Sequence, residues 1–563
     1  MKDFFKNNSR ILLRPQKSIF SAATIIMLMM TVSRVLGLIR NRILAHYFSA
    51  QTLSIYFAAF RLPEIVFEVL VLGTLASAFI PVFTSYLSRG RQKEAWRVAA
   101  MSFNLIVLVF IVLAGLVLIF TRPLYRMIVP GFAPAALGKT VLLARVLIFA
   151  QGFFLLSYFS TAVLESLKRF LIPAIAPVFY NLGIILATVF LAEHFQILAP
   201  AIGAVFGAVM HFLIQAPLTV HLGFKLQKGL DFSHPGVRKI SRLAFPRIIE
   251  LSFLQVFKSI ELYLASMISG AAYTYLTFAN SLQLFPVGLF GISLAKASLP
   301  SLSYQASRRN KFREVFLSAF NQILFWTIPS AIFLAVLRIP IVRLFFGASR
   351  FDWPATVQTS FVLSAFCLGI PAQALIYLLN RAFYAFHQSV TPMLVSIGAL
   401  VLGAFLGAVF VLIFNWPVWS LALAFSLAQN FQFSLLVFLL FKHRKNFGFS
   451  FSDFFSPFVK IFSSAFLSGG LMYFCLKILD RSVSGQRFLF LPKLEVALDT
   501  RYTINLIMVT LLTGLLGGLA YILLAWVWRI KELMILLKFF ARIEKISFFS
   551  RRFWKKRESI TMD

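Results

Sequence analysis

Long apolar runs alternate with short polar connections over nearly the whole chain. The runs lie at roughly 18–47, 56–87, 95–121, 139–166, 170–192, 198–222, 239–269, 272–304, 314–337, 356–385, 391–414, 417–441, 456–478 and 503–528. Each is long enough to carry a helix across a hydrocarbon core, which takes ~20 residues. The pattern predicts an all-α polytopic membrane protein with fourteen transmembrane helices. Several runs exceed the minimum, so some helices are expected to tilt, bend or project.

The connections sort by charge. Those after the second, fourth, sixth, eighth, tenth and twelfth spans are basic, among them SRGRQKEAWR, SRRNKFR and KHRKN, and so is the tail. Those after the first, fifth, seventh and eleventh spans are nearly free of Lys and Arg, and the remainder are mixed. Lys and Arg favour the cytoplasmic side, so both termini are predicted to be cytoplasmic. The tail, LKFFARIEKISFFSRRFWKKRE, interleaves aromatic and basic residues. This pattern suits a helix lying on anionic membrane lipids.

An internal repeat organises the spans. PVFTSYLSRGRQKEAW, from Pro81, resembles PSLSYQASRRNKFREVF, from Pro300, and KRFLIPAIAPV resembles AFHQSVTPMLV at nearly the same offset. RPLYRMI and RIPIVRLF form a third such match. Spans 1–6 and 7–12 therefore read as two parallel six-helix repeats, with a C-terminal helix pair added. The expected organisation is an N-terminal lobe over 1–222, a C-terminal lobe over 223–441, the extra pair over 442–530 and a basic amphipathic tail over 531–563.

Composition agrees with the pattern. Of 563 residues, 60% are hydrophobic and only 13% charged, against roughly 25% charged in soluble domains. Lys and Arg number 54 against 19 Asp and Glu, giving a formal charge of +35. That excess sits between apolar runs, which favours basic cytoplasmic loops over a nucleic-acid partner. The two cysteines, Cys367 and Cys475, lie in apolar segments, and the seven histidines are scattered. No metal-ligand spacing, phosphate-binding glycine loop or nucleophile motif is present, so neither a cofactor nor an enzymatic reaction is expected.

The informative residues are those that should not be in a membrane. Arg34 and Arg40 fall in span 1, Arg61, Glu64 and Glu68 in span 2, Lys258 and Glu261 in span 7, and Lys296 in span 8. These are equivalent helices of the two repeats. An ionisable residue inside a span marks a functional site by default. Arg42 and Arg61 stand near span ends, where snorkelling to the interface is the simpler expectation. Lys258 and Glu261, three apart on one helical face, could neutralise each other. Glu64 and Glu68, four apart, repel unless something basic faces them. Arg34 has no acidic residue in its own span. Arginine is the natural partner of a phosphate, so a basic cavity between the lobes would suit an anionic substrate.

At this point a resemblance enters. SRVLGLIR (Ser33–Arg40), FAAFRLPEIV, GTLASAFIPVF, PGF, RFLIPAIAPVFYNLGII, FPVGLFGISLAKASLPSLS and RAFYAFHQSVTP resemble, in order, the signatures of the lipid II flippase family, MurJ/MviN. That family has fourteen helices in two lobes plus a final pair. It moves lipid II, a polyprenyl pyrophosphate bearing the peptidoglycan precursor, across the bacterial cytoplasmic membrane. The resemblance implies that Arg34 and Arg40 meet the pyrophosphate. Where the family usually carries acid, this chain has Asn41, Leu72 and a position near Ser54; family arginines align with Phe67 and Ser281, and a family glutamate with Leu284. Lys258 and Lys296 would then supply the missing positive charge, with Glu64, Glu68, Glu261, Gln255, Asn41 and Ser281 as acidic or polar cavity lining. The implied partners are lipid II, or a related polyprenyl-pyrophosphate-linked precursor, and anionic lipids, with a monomeric protein. Two rivals stand beside this reading: a flippase for another lipid-linked oligosaccharide and a non-transporting membrane scaffold of the same fold.

Overall fold

The computed structural model describes residues 19–534 apart from 228, 230, 232, 233, 307, 387, 444–448 and 480–501. The basic tail beyond 534 and most of the connection between the last two expected spans lie outside the described residues.

The described chain is helical. Its helices are α1 (Ile19–Tyr47), α2 (Ala50–Ala59), α3 (Arg61–Phe67), α4 (Ile80–Ser88), α5 (Gln92–Ile128), α6 (Pro134–Ser166), α7 (Leu171–Phe195), α8 (Leu198–Leu213), α9 (Ala216–His221), α10 (Pro235–Ile268), α11 (Ala272–Pro286), α12 (Ser293–Gln305), α13 (Arg309–Val336), α14 (Arg338–Phe346), α15 (Trp353–Cys367), α16 (Ile370–Ala385), α17 (Val390–Ala408), α18 (Trp419–His443), α19 (Phe451–Leu479) and α20 (Thr503–Val527). Among the described residues, eleven helical segments are long and apolar enough to cross a membrane. The pair α15 and α16, interrupted at Leu368 and Gly369, passes the same test together. This is a polytopic helical membrane protein.

Local sequence explains the helix ends. Pro134 and Pro235 open α6 and α10, where a missing N–H is no loss and φ is already helical. His234 caps α10 by accepting from the Gly236 N–H at 3.1 Å. Ser49 caps α2 by accepting from the Thr52 N–H at 3.3 Å, so the break between α1 and α2 ends in a satisfied donor. Two π-helical turns, Glu68–Leu72 and Leu75–Phe79, interrupt the run from α3 to α4, and another, Val287–Ile292, joins α11 to α12. The first and last begin at Glu68 and Val287, 219 residues apart.

The chain packs as two compact units. The first comprises 1–281, 345–362 and 400–424, and the second 282–344, 363–399 and 425–563. In the first, Phe79, Phe83, Phe103 and Phe159 form an aromatic core with ring separations of 4.9 to 5.3 Å. Helices α7 and α8 approach through glycines: a Cβ on Gly207 would stand 2.7 Å from the Tyr180 carbonyl oxygen. Gly203 and Gly207, four apart, thus let the two helices pack closely. In the second unit, Phe312, Phe316 and Phe320 line a buried face of α13. The Tyr521 hydroxyl of α20 donates to the Phe325 carbonyl at 2.8 Å. A Cβ on Gly517 of α20 would meet the Met472 sulfur of α19 at 2.6 Å, so the last two described helices lie directly against each other.

Candidate functional site

Charged residues of α3 and the π turn after it face charged residues of α10, all within the first unit. Arg61, Glu64 and Glu68 recur at intervals of three and four, and Gln255, Lys258 and Glu261 at intervals of three, which places each set along one side of its helix. The Arg61 guanidinium donates to the Gln255 side-chain oxygen, and the Gln255 amide donates to a Glu68 carboxylate oxygen. The Lys258 ammonium reaches both Glu68 oxygens, at 3.1 and 3.4 Å. Glu64 and Glu261 lie within electrostatic reach of both cations. The π turn starts at Glu68 itself; such turns re-aim side chains and gather at functional sites.

Two expectations are corrected here. Arg61 does not snorkel. It is 2% exposed, because Gln255 accepts from its guanidinium inside the protein. Lys258 is not neutralised by Glu261 on its own helix. Its ion pair is with Glu68 on another helix, whose carboxylate also receives Gln255. The repulsion foreseen between Glu64 and Glu68 is answered by these facing donors.

Arg34 and Arg40 of α1 have different surroundings. Arg40 donates to the Asn41 side-chain oxygen at 3.0 and 3.2 Å and to that of Asn181 at 3.2 Å. Asn181, on α7, also donates to the Pro177 carbonyl at 3.1 Å. Tyr56 and Tyr180 lie within electrostatic reach of the same guanidinium. Arg34 lines a pocket of about 360 Å³ with Ser33, Tyr158, Thr161, Glu165 and His211, walled by α1, α6, α7 and α8. Arg34 makes no hydrogen bond or ion pair among the described residues. Lys296, on α12, belongs to the second unit and is exposed. Ser281 donates to the Phe278 carbonyl of its own helix at 2.7 Å.

Positions that depart from the family pattern have neutral substitutes. Asn41, 4% exposed, serves Arg40 as acceptor. Ser54, fully buried, accepts from the Thr274 backbone N–H at 3.0 Å and so ties α2 to the start of α11. Phe67 is a core residue, packed edge-on against Tyr158 at 5.3 Å.

Some residues were not singled out from the sequence. Asn181 was visible only as one polar residue in an apolar run. Tyr125 is buried and donates to the Ala59 carbonyl at 2.7 Å, holding the turn that presents Arg61. Ser157, Thr161, His211 and Gln215 form a hydrogen-bonded chain at 2.6 to 2.7 Å between α6 and the α8–α9 segment. Their four-residue spacings lie inside apolar helices and give no stronger signal.

Comparison with known proteins decides the family. The model described as "Lipid II flippase MurJ" matches residues 44–491. The chain belongs to the MurJ family. A Vibrio cholerae protein named "Probable lipid II flippase MurJ" is 28% identical over 436 residues, covering 75% of this chain and 82% of the relative. A Burkholderia cenocepacia "Lipid II flippase MurJ" is 28% identical over 467 residues, covering 79% and 87%. A solved "Lipid II flippase MurJ, inward closed conformation" superposes with a TM-score of 0.73 at 23% identity, over 90% of this chain and 98% of that one. A multidrug-resistance transporter of the MATE family, in an inward-facing conformation, has the same fold at lower similarity, with a TM-score of 0.63 and 13% identity. The family match begins after Arg40, so the assignment of Arg34 and Arg40 rests on the SRVLGLIR resemblance.

Proposed function

We propose that this protein is a lipid II flippase of the bacterial cytoplasmic membrane, carrying the peptidoglycan precursor from the inner to the outer leaflet by alternating access. It performs no covalent chemistry. Family membership supports the substrate, and the hydrogen-bonded network Arg61–Gln255–Glu68–Lys258, buried at Arg61 and Gln255, carries the mechanism. These residues belong to span 2 and span 7, equivalent helices of the two sequence repeats. Alternating access needs such helices to part and rejoin, and a set of a few polar bonds can break and re-form where a packed apolar core cannot.

In this reading fourteen spans form two six-helix lobes over 1–222 and 223–441, with a helix pair over 442–530. The 219-residue spacing of the π turns at Glu68 and Val287 supports the repeat. Both termini face the cytoplasm, as the basic loops require. Arg34 and Arg40 receive the pyrophosphate. Their acceptors in the protein are neutral or absent among the described residues, which leaves their positive charge uncancelled by a bonded carboxylate. Lys258 joins them when the substrate displaces Glu68. The protein acts as a monomer, with its basic tail on anionic lipids.

The test is replacement of the resident flippase in a depletion strain. Growth should be rescued, and lipid II should become accessible to a membrane-impermeant probe at the cell surface. Stable expression without either result would overturn the reading.

A further inference from the structure

The pocket beside Arg34 sorts its polar groups by kind. It measures about 360 Å³ and lies within the first unit. One wall is α6, where Tyr158, Thr161 and Glu165 recur at intervals of three and four and so share a helix face. Another is α1, with Ser33 and Arg34. The Thr161 hydroxyl donates to the Gln215 side-chain oxygen at 2.7 Å, which leaves its lone pairs to accept. Glu165, one turn further along, adds a carboxylate, an acceptor only. On α1 the chemistry is the opposite. The Ser33 hydroxyl accepts from the Asn181 amide at 3.4 Å and keeps its own proton to donate. The Arg34 guanidinium, a donor only, makes no bond among the described residues. No ion pair joins it to Glu165, so two opposite charges line one cavity without meeting. Pro173 and Pro177 complete the lining and bring no N–H.

We propose that this pocket binds a primary ammonium tethered to an anionic group, with the ammonium at Glu165 and Thr161 and the anion at Arg34 and Ser33. A simple anion would be drawn by Arg34 and repelled by Glu165, and a metal ion the reverse. A ligand carrying both charges is attracted at each end. A primary ammonium has three N–H donors, enough for the carboxylate and the threonine together, whereas a trimethylated ammonium has none. Glu165 stands next to the last residue of α6 and is followed by Lys168 and Arg169, which places this end at the cytoplasmic face. From there to Tyr158 the helix rises about 10 Å at 1.5 Å per residue. The pocket is therefore at the depth of inner-leaflet headgroups. Two sources share the required chemistry there: the phosphoethanolamine headgroup of a membrane lipid, and lipid II itself, with an amine on its peptide and its pyrophosphate as the anion. The second source rests on the function proposed above; the first does not.

The test titrates purified full-length protein in dodecyl maltoside with water-soluble dihexanoyl phospholipids. Phosphatidylethanolamine should bind at least about tenfold more tightly than its N-acetylated form or phosphatidylcholine, as one hydrogen bond to a charged group implies. Glu165→Gln should bind the free and the capped amine equally, and its undiminished binding of the capped lipid shows that it folds. Thr161→Val should reduce the preference without abolishing it. A second arm uses lipid II whose peptide carries a primary amine, and the same lipid N-acetylated; the arm with the larger amine preference identifies the source. Equal binding of free and capped amines by the wild type in both arms, or a preference that Glu165→Gln retains, would overturn the pocket. Lipid II that binds in neither form, beside an intact preference for phosphatidylethanolamine, would overturn the substrate reading and leave the pocket standing.

Discussion

Gln255→Leu is the sharpest perturbation of the network. The side chains are similar in size, so the change removes polarity with little loss of packing. Gln255 is 1% exposed and Arg61 2% exposed, so water cannot take over the lost bonds. The Arg61 Nε already lacks a partner, and the substitution removes the acceptor of the donating Nη. Losing the hydrogen bond of a buried charged group in this way costs about 1.5–3 kcal/mol. Glu68 loses one donor but keeps Lys258 and is partly exposed, so its share is smaller. The expected destabilisation is therefore about 1.5–3 kcal/mol, almost all from Arg61. Pairing the change with Arg61→Met should recover part of it, because removing both partners leaves no orphaned charge. The assay is unfolding of the purified protein in detergent, read as a double-mutant cycle. A Gln255→Leu protein within about 0.5 kcal/mol of wild type, below the expected cost of one lost charged hydrogen bond, would refute the reasoning. So would a double mutant less stable than the sum of the two single changes.

Four further outcomes are expected. Arg40→Ala should abolish rescue of a flippase-depleted strain while the protein still accumulates in the membrane, and Arg40→Lys should rescue poorly, since a lysine cannot span Asn41 and Asn181 with one planar fork. Glu68→Gln should lower stability by about 1 kcal/mol or less, because the pair with Lys258 is partly exposed; a loss as large as that of Gln255→Leu would show the ion pair to be the main bond. Gly207→Ala should destabilise by about 1–3 kcal/mol in thermal unfolding, since its methyl group meets the Tyr180 carbonyl, whereas Gly518→Ala, with open space around it, should be neutral. Arg313→Ala should loosen α19 from α13, because it removes bonds to Asp453 at 2.6 and 2.8 Å; limited proteolysis near residue 450 should then accelerate.

Which of these residues could be read from sequence depended on how far their physics is local. Helical spans announce themselves by length and apolarity, and the charges within them by contrast with their neighbours. Arg34, Arg61, Glu68 and Lys258 were therefore visible at once. Their partners were not. Whether Lys258 bonds Glu261, three residues away, or Glu68, on a distant helix, depends on how α10 packs against the π turn, and a helical wheel carries no information about that. Arg61 differs for the same reason: proximity to a span end suggests water, and only packing reveals that Gln255 accepts from it inside the protein. Asn181 and the Ser157–His211–Gln215 chain remained hidden because a single polar residue per turn does not disturb an apolar run. The π turns leave no compositional mark, although one begins on a glutamate that needed explaining.

The arrangement divides the intramembrane charges by role. Around Arg61 and Lys258 stand Glu64, Glu68 and Glu261, and Glu68 pairs directly with Lys258. In the proposed function a pyrophosphate at Lys258 competes with Glu68 for the ammonium, which would loosen the bond between spans 2 and 7. Arg40 differs: its hydrogen-bond partners are two amide oxygens, which orient the guanidinium without cancelling its charge. Asn41 matters in this respect. A carboxylate at that position would form a salt bridge with Arg40 and weaken its pull on phosphate, whereas the amide holds the fork and leaves the charge for a ligand. In the function proposed above, the neutral residues at Asn41 and Ser54 are compatible with anion binding at α1, and the network of α3 and α10 is proposed to govern when the helices part.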